Sequence, residues 1–168
     1  AAIRPSNGAV LDWAPSASGG GNQVMALALT TDRSKLIVGG NYTVLNGNSA
    51  LGLGAVNPAT GATASWNAAS TVKNAGLAAA ITSLVASNDS IYGTGYVSGT
   101  DPGLPKGNLE GSFSASAATG DIRWVSSCHG DSYSVFPLNG ASYSVGHPHD
   151  CRDIRGFPQT NPWTYQRA

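Results

Sequence analysis

The sequence predicts an all-β fold, and three observations carry that expectation. Only 11% of the 168 residues are charged and glutamate occurs once, as Glu110, so the stock that builds exposed helices is missing. Glycine accounts for 22 residues, beside many Ala, Ser, Thr and Asn, which suits short strands and tight loops. Short apolar runs alternate with turn residues, and the same run-and-turn order recurs along the chain.

The fullest copy of this unit is Leu36 to Trp66. It reads as an apolar strand, a Gly-Asn-Tyr loop, a second strand, a Pro/Thr/Gly turn and a short strand ending in Trp. The chain opens part-way through such a unit. Ala2-Ile3-Arg4-Pro5-Ser6-Asn7-Gly8 lines up with Ala55-Val56-Asn57-Pro58-Ala59-Thr60-Gly61, and more weakly with Ala115 to Gly120. Each segment runs from a strand into a turn closed by Gly, the residue that tolerates positive φ. A Trp follows each turn: Trp13, Trp66 and Trp124. The offset from Gly is five residues in the first two cases and four in the third. One residue flips the face of a strand, so Trp124 needs a bulge or a shifted turn to occupy the same place.

Each Trp is followed by a linker and an apolar strand: Val24 to Leu29, Ile81 to Ala86, and Tyr133 to Phe136. A polar turn and a second strand come next. The turns are Thr31-Asp32-Arg33-Ser34, Asn88-Asp89 and Asn139-Gly140. Asn-Gly between apolar runs is a strong hairpin signal. A helix across Leu77 to Ser87 is the rival reading, given its alanines, but β-branched Ile81, Thr82 and Val85 argue for a strand. Thr100 to Gly107 has the composition of an inserted surface loop.

The Trp spacing sets a repeat of about 53 to 58 residues, and four short strands at that period suit a β-propeller blade. The expected layout is the end of a preceding blade over 1–23, blades over 24–66 and 81–125, and a partial blade over 131–168. About three four-stranded antiparallel blades make an arc, since a closed ring needs about four or more. The rest of a larger propeller, or other subunits, is the expected partner.

The quoted repeat, with Gly39-Gly40-Asn41-Tyr42-Thr43-Val44-Leu45-Asn46-Gly47 followed by Val56 to Gly61 and Trp66-Asn67, resembles that of secreted actinobacterial β-propellers of the delta-sixty type, often PKD-domain-containing. Cys128-His129-Gly130-Asp131, Gly146 to Cys151 and Gly156 to Gln159 resemble one blade of the same proteins. Similar propellers occur in phage tail proteins. The resemblance spans nearly the whole chain. It implies a propeller longer than this chain and an extracellular or surface setting, and it supplies no catalytic residue.

The chemistry-bearing residues gather late in the chain. If the Asn139-Gly140 turn sets the register, Phe136 faces Tyr143 and, further out, Cys128 faces Cys151. Pro137 and Pro148 disturb that ladder. A disulfide there would close a loop of about two dozen residues and stabilise by roughly 3 kcal/mol in the chain-entropy model. It would also imply an oxidising compartment; the alternative is two buried free thiols. His129, His147 and His149 are the only histidines, and Asp131 and Asp150 lie beside them. Convergence of these five would make a divalent-metal site, although the spacing matches no established metal motif. The bland alternative is a polar loop whose imidazoles bond to backbone and to Asp150. No other cofactor is predicted. Trp163 and Tyr165 are candidates for ligand binding from the tail, or for packing on the third blade.

Formal net charge is zero with no basic run, which argues against a nucleic-acid partner. The longest apolar window, Leu77 to Ala86, is too short and broken to insert into a membrane. No phosphate loop or nucleophile elbow is present. The expected function is that of a non-catalytic extracellular module, structural or binding glycan or protein. The alternatives are a polysaccharide-active or metal-dependent enzyme domain and a phage tail component that contacts the host surface.

Overall fold

The computed structural model describes residues 1–158; Trp163 and Tyr165 lie outside the described residues. The described residues form an all-β architecture of antiparallel sheets with two to four strands each. Two sheets are complete four-stranded meanders. The first holds β4 (Val24–Leu29), β5 (Leu36–Gly40), β8 (Leu53–Val56) and β9 (Thr63–Ala64) in that order. The second holds β10 (Ala79–Ser87), β11 (Ser90–Val97), β12 (Gly111–Ser116) and β13 (Ile122–Ser127). Smaller pieces flank them. β1 (Ala2–Ile3) pairs with β2 (Val10–Leu11), and β14 (Ser132–Leu138) pairs with β15 (Ala141–Gly146). β3 (Ala17–Ser18), β6 (Val44–Leu45) and β7 (Asn48–Ser49) make a small third layer beside the first meander.

Turn chemistry explains the hairpins. Asn88 sits at φ 52° between β10 and β11, and Asn139 and Gly140 sit at φ 50° and 79° between β14 and β15. Asparagine and glycine are the residues that accept such angles at low cost. The alanine-rich stretch that invites a helix is instead the nine-residue strand β10. Burial decides this: Ala79, Ala80 and Ile81 are all enclosed, and the β-branched side chains fit the pleat. The one α-helix among the described residues is the single turn α1 (Ala68–Thr71). No helix among the described residues is long and apolar enough to cross a membrane.

The core lies between the two meanders. β10 packs against β4 and β5 on one side and against β14 on the other. Ile37 and Leu53 of the first sheet meet Ile81, Leu84, Ile91 and Phe113 of the second in one buried cluster. Full burial of each such side chain stabilises by roughly 1.5–3 kcal/mol. Gly39 makes the approach possible, because a Cβ there would collide with Ile81 and Leu84. On the far side, Thr82 donates to the Ser132 carbonyl at 2.6 Å and so ties β10 to β14.

The units share a turn. Asn57 N–H donates to the Ala62 carbonyl and Gly61 N–H to the Asn57 carbonyl; Ser116, Asp121 and Gly120 repeat the pattern, as do Arg4, Ala9 and Gly8. The carbonyl that opens the turn is also a docking point for the Trp of the preceding unit. Trp13 Nε1 donates to the Asn57 carbonyl at 3.5 Å, and Trp66 Nε1 to the Ser116 carbonyl at 3.0 Å. Trp124 does not take the equivalent place. A register shift does occur between Ser114 and Ala115, but the shorter Gly-to-Trp spacing leaves Trp124 inside β13, opposite Ser114. There it packs on its own sheet, 6.1 Å from Tyr92.

Candidate functional site

Two regions carry functional groups: the disulfide-bonded segment after β13 and a cleft beside Trp66. The segment is built by the β14–β15 hairpin. Its register holds from Leu138↔Ala141 through Phe136↔Tyr143 to Ser134↔Val145, then shifts at Tyr133. Cys128 and Cys151 nevertheless meet in a disulfide, with Cα atoms 4.2 Å apart. Backbone bonds hold both ends. The Cys128 carbonyl accepts from His149 N–H and Asp150 N–H at 2.9 Å each, and Cys151 N–H donates to the Phe157 carbonyl at 2.8 Å. Cys151 is buried. The 3-10 turn Arg152–Ile154 follows, closed by Arg155 in the left-handed region.

The histidines and aspartates around this bond do not converge on one point. His129 Nε2 pairs with Asp153 at 2.9 Å, a partner the sequence reading did not single out. Asp150 is held by Arg152, whose Nε and Nη2 approach it at 2.6–3.0 Å. His147 turns to Tyr133, whose hydroxyl lies 2.7 Å from Nδ1, and to Asp131, 3.6 Å from Nε2. The His149 ring stacks at a tilt 5.4 Å from that of His147. Among the described residues, no group of three or more His, Cys, Asp or Glu side chains is arranged to hold a metal ion. Instead, the pairs link the strand, the hairpin and the 3-10 turn to one another around the disulfide. The bland polar-loop alternative expected the imidazoles to bond backbone and Asp150. Bonds to Asp153, Tyr133 and Asp131 are among those the imidazoles make, and Arg152 binds Asp150.

The second region is a cleft of about 330 Å³ between the β6–β7 hairpin, β8–β9 and α1. Trp66 forms part of its wall, with Leu45, Leu53 and Ala69. Asn48, Ser49, Thr63, Ser70 and Lys73 supply amide, hydroxyl and ammonium groups. Trp66 is fixed by its Ser116 bond, and the adjoining Asn67 side chain donates to Asp121 at 2.8 Å. That bond, with one from Thr119, holds the Asp121 carboxyl below its usual range. The cleft therefore has a rigid floor shared by two sheets. Sequence reading missed it because its walls come from five separate elements, and only the recurring Trp signals it.

Behind the cleft stands Asn74, fully buried. Its Oδ1 accepts from Asn108 N–H and Leu109 N–H, both at 3.0 Å. Its Nδ2 donates to the Leu109, Tyr96 and Ala80 carbonyls at 2.7, 3.0 and 3.3 Å. One side chain thus joins β10, β11 and the approach to β12. Tyr42 is likewise enclosed; its hydroxyl donates to the Val38 carbonyl at 2.8 Å, and burial pushes its pKa up.

Comparison with protein-family models, with curated proteins and with solved structures finds no match in any of the three.

Proposed function

We propose that this chain is a segment of an extracellular β-propeller and that it serves as a glycan-binding surface module. The observation that carries the architecture is the stacking of two complete meanders and the β14–β15 pair through their first strands, β4, β10 and β14. That is how blades sit around an axis. The Trp13 and Trp66 bonds repeat the same blade-to-blade contact. A disulfide suits an oxidising, extracellular setting.

The cleft beside Trp66 supports the binding role. Hydroxyl and amide groups over an apolar floor match a sugar's alternation of hydroxyl edges and C–H faces. Lys73, exposed at the rim, favours an acidic sugar over a neutral one.

A glycan array probed with the 168-residue chain tests this. Binding to a set of uronate-bearing or otherwise acidic glycans is expected. Lys73→Ala should weaken it about tenfold, the order of one charge-assisted hydrogen bond. An array with no glycan bound above background, or binding indifferent to Lys73→Ala, would overturn the proposal.

A further inference from the structure

Asparagine followed by glycine is a turn signal and also a reactive pair. The backbone nitrogen of the glycine can attack the asparagine side-chain carbonyl, because no Cβ on the glycine hinders the approach. The chain has three such pairs: Asn7-Gly8, Asn46-Gly47 and Asn139-Gly140. In all three the glycine has φ between 70° and 79°, and a Cβ added there would meet no atom within 4 Å. Space therefore does not separate the three pairs. Hydrogen bonds do.

Asn46 is half-buried and held on both sides of its amide. Its Oδ1 accepts from Ser16 N–H at 2.9 Å, and its Nδ2 donates to the Gly61 carbonyl at 2.7 Å and to Thr63 Oγ1 at 3.3 Å. Asn7 is exposed, but its Oδ1 accepts from Ala9 N–H at 3.1 Å, and the attacking group itself, Gly8 N–H, donates to the Arg4 carbonyl at 2.9 Å. Asn139 has neither restraint. It is exposed in the two-residue turn between Leu138 and Ala141, and among the described residues neither its side chain nor Gly140 N–H makes a hydrogen bond. A cleft of about 250 Å³ lies against the turn, lined by Asn88, Leu138, Asn139 and Gly140, so water reaches the pair. This exposure does not depend on what pairs with β15. A further strand would lie along the edge of β15, whereas the turn stands at the end of the hairpin. The equivalent turn of the complete second meander, Asn88-Asp89, is likewise exposed.

We propose that Asn139 is a site of spontaneous modification, converting to aspartate and isoaspartate ahead of the other two asparagine-glycine pairs. The Gly140 nitrogen, on giving its proton to hydroxide, bonds to Asn139 Cγ. The Cγ–Nδ2 bond breaks, and the nitrogen leaves as ammonia after taking a proton from water. The cyclic imide that remains is opened by a water molecule. Cutting the Gly140 nitrogen from Cγ leaves aspartate. Cutting it from the backbone carbonyl carbon leaves isoaspartate, whose main chain runs through Cβ and Cγ. Nothing is oxidised or reduced, and water is the only co-reactant. The consequence falls on the hairpin. Isoaspartate lengthens the main chain of the turn that sets Leu138 against Ala141 and Phe136 against Tyr143, and either product puts a carboxylate there. The other end of the segment stays fastened by the Cys128–Cys151 disulfide. Asn46 and Asn7, bonded as they are, keep their turns intact over the same time.

The test is peptide mapping by mass spectrometry of the 168-residue chain held in mildly alkaline buffer, with electron-transfer fragmentation to tell isoaspartate from aspartate. Asn139 should be modified about tenfold faster than Asn7 and Asn46, the order expected when one or more hydrogen bonds must break before the ring can close. The same chain, reduced and unfolded in urea, supplies the reference: with the native bonds gone, all three sites should react at similar rates. Equal rates at the three sites in the native chain would overturn the proposal. So would an Asn139 that stays intact in the native chain while it reacts in the unfolded one.

Discussion

Asn74 shows how one buried side chain can tie two strands to the approach of a third. Its buried amide bonds two N–H groups and three carbonyls. Asn74→Ala should therefore lower the unfolding free energy by about 3 kcal/mol in a urea titration; a loss under about 1 kcal/mol would deny it this role. Asp32 acts at the surface. In the β4–β5 turn it accepts from the Thr30 hydroxyl and from Ser34, and these bonds hold its carboxyl down to about 2, against an ordinary 3.8. A depressed carboxyl contributes stability that is present above its unfolded value and lost as pH falls through its folded value. The melting temperature of the native chain should exceed that of Asp32→Asn at pH 6, and the gap should close between pH 4 and 2. A constant gap across that range would show that the turn bonds do not depend on the charge.

Elements were legible in the sequence wherever local chemistry demands one conformation. Asn139-Gly140 announces its hairpin, and the pairing of Phe136 with Tyr143 follows from it. The register shift at Tyr133 was not legible, because it accompanies contacts of that side chain with His147 across the hairpin and with Asp131 two residues before it. The β3–β6–β7 layer was hidden for another reason: two-residue strands have no period to read. Asn74 lies in Lys73-Asn74-Ala75-Gly76, which has the composition of a plain loop, and the clustering of His and Asp in sequence did not reveal that His129 would pair with Asp153 and Asp150 with Arg152. The disulfide belongs to this scale, since it fastens β13 to the segment after β15. Replacing both cysteines, Cys128→Ala with Cys151→Ala, should cost roughly 3 kcal/mol of stability, and reduction of the native chain should cost as much. A variant as stable as the native protein would show that the backbone bonds of Cys128 and Cys151 suffice without it.

At the scale of the molecule, function follows from repetition. A sheet of this kind buries its large residues only against another sheet, so β10 needs both β4 and β14. The same requirement leaves Met25, Leu27 and Leu29 at one end and Phe136 and Leu138 at the other in search of neighbours. In the proposed reading, the Trp66 cleft carries recognition while the stack supplies rigidity. Electron cryo-microscopy of the 168-residue chain in solution tests this most directly. Class averages should show sheets fanned radially about a common axis; averages of parallel stacked layers would contradict the propeller.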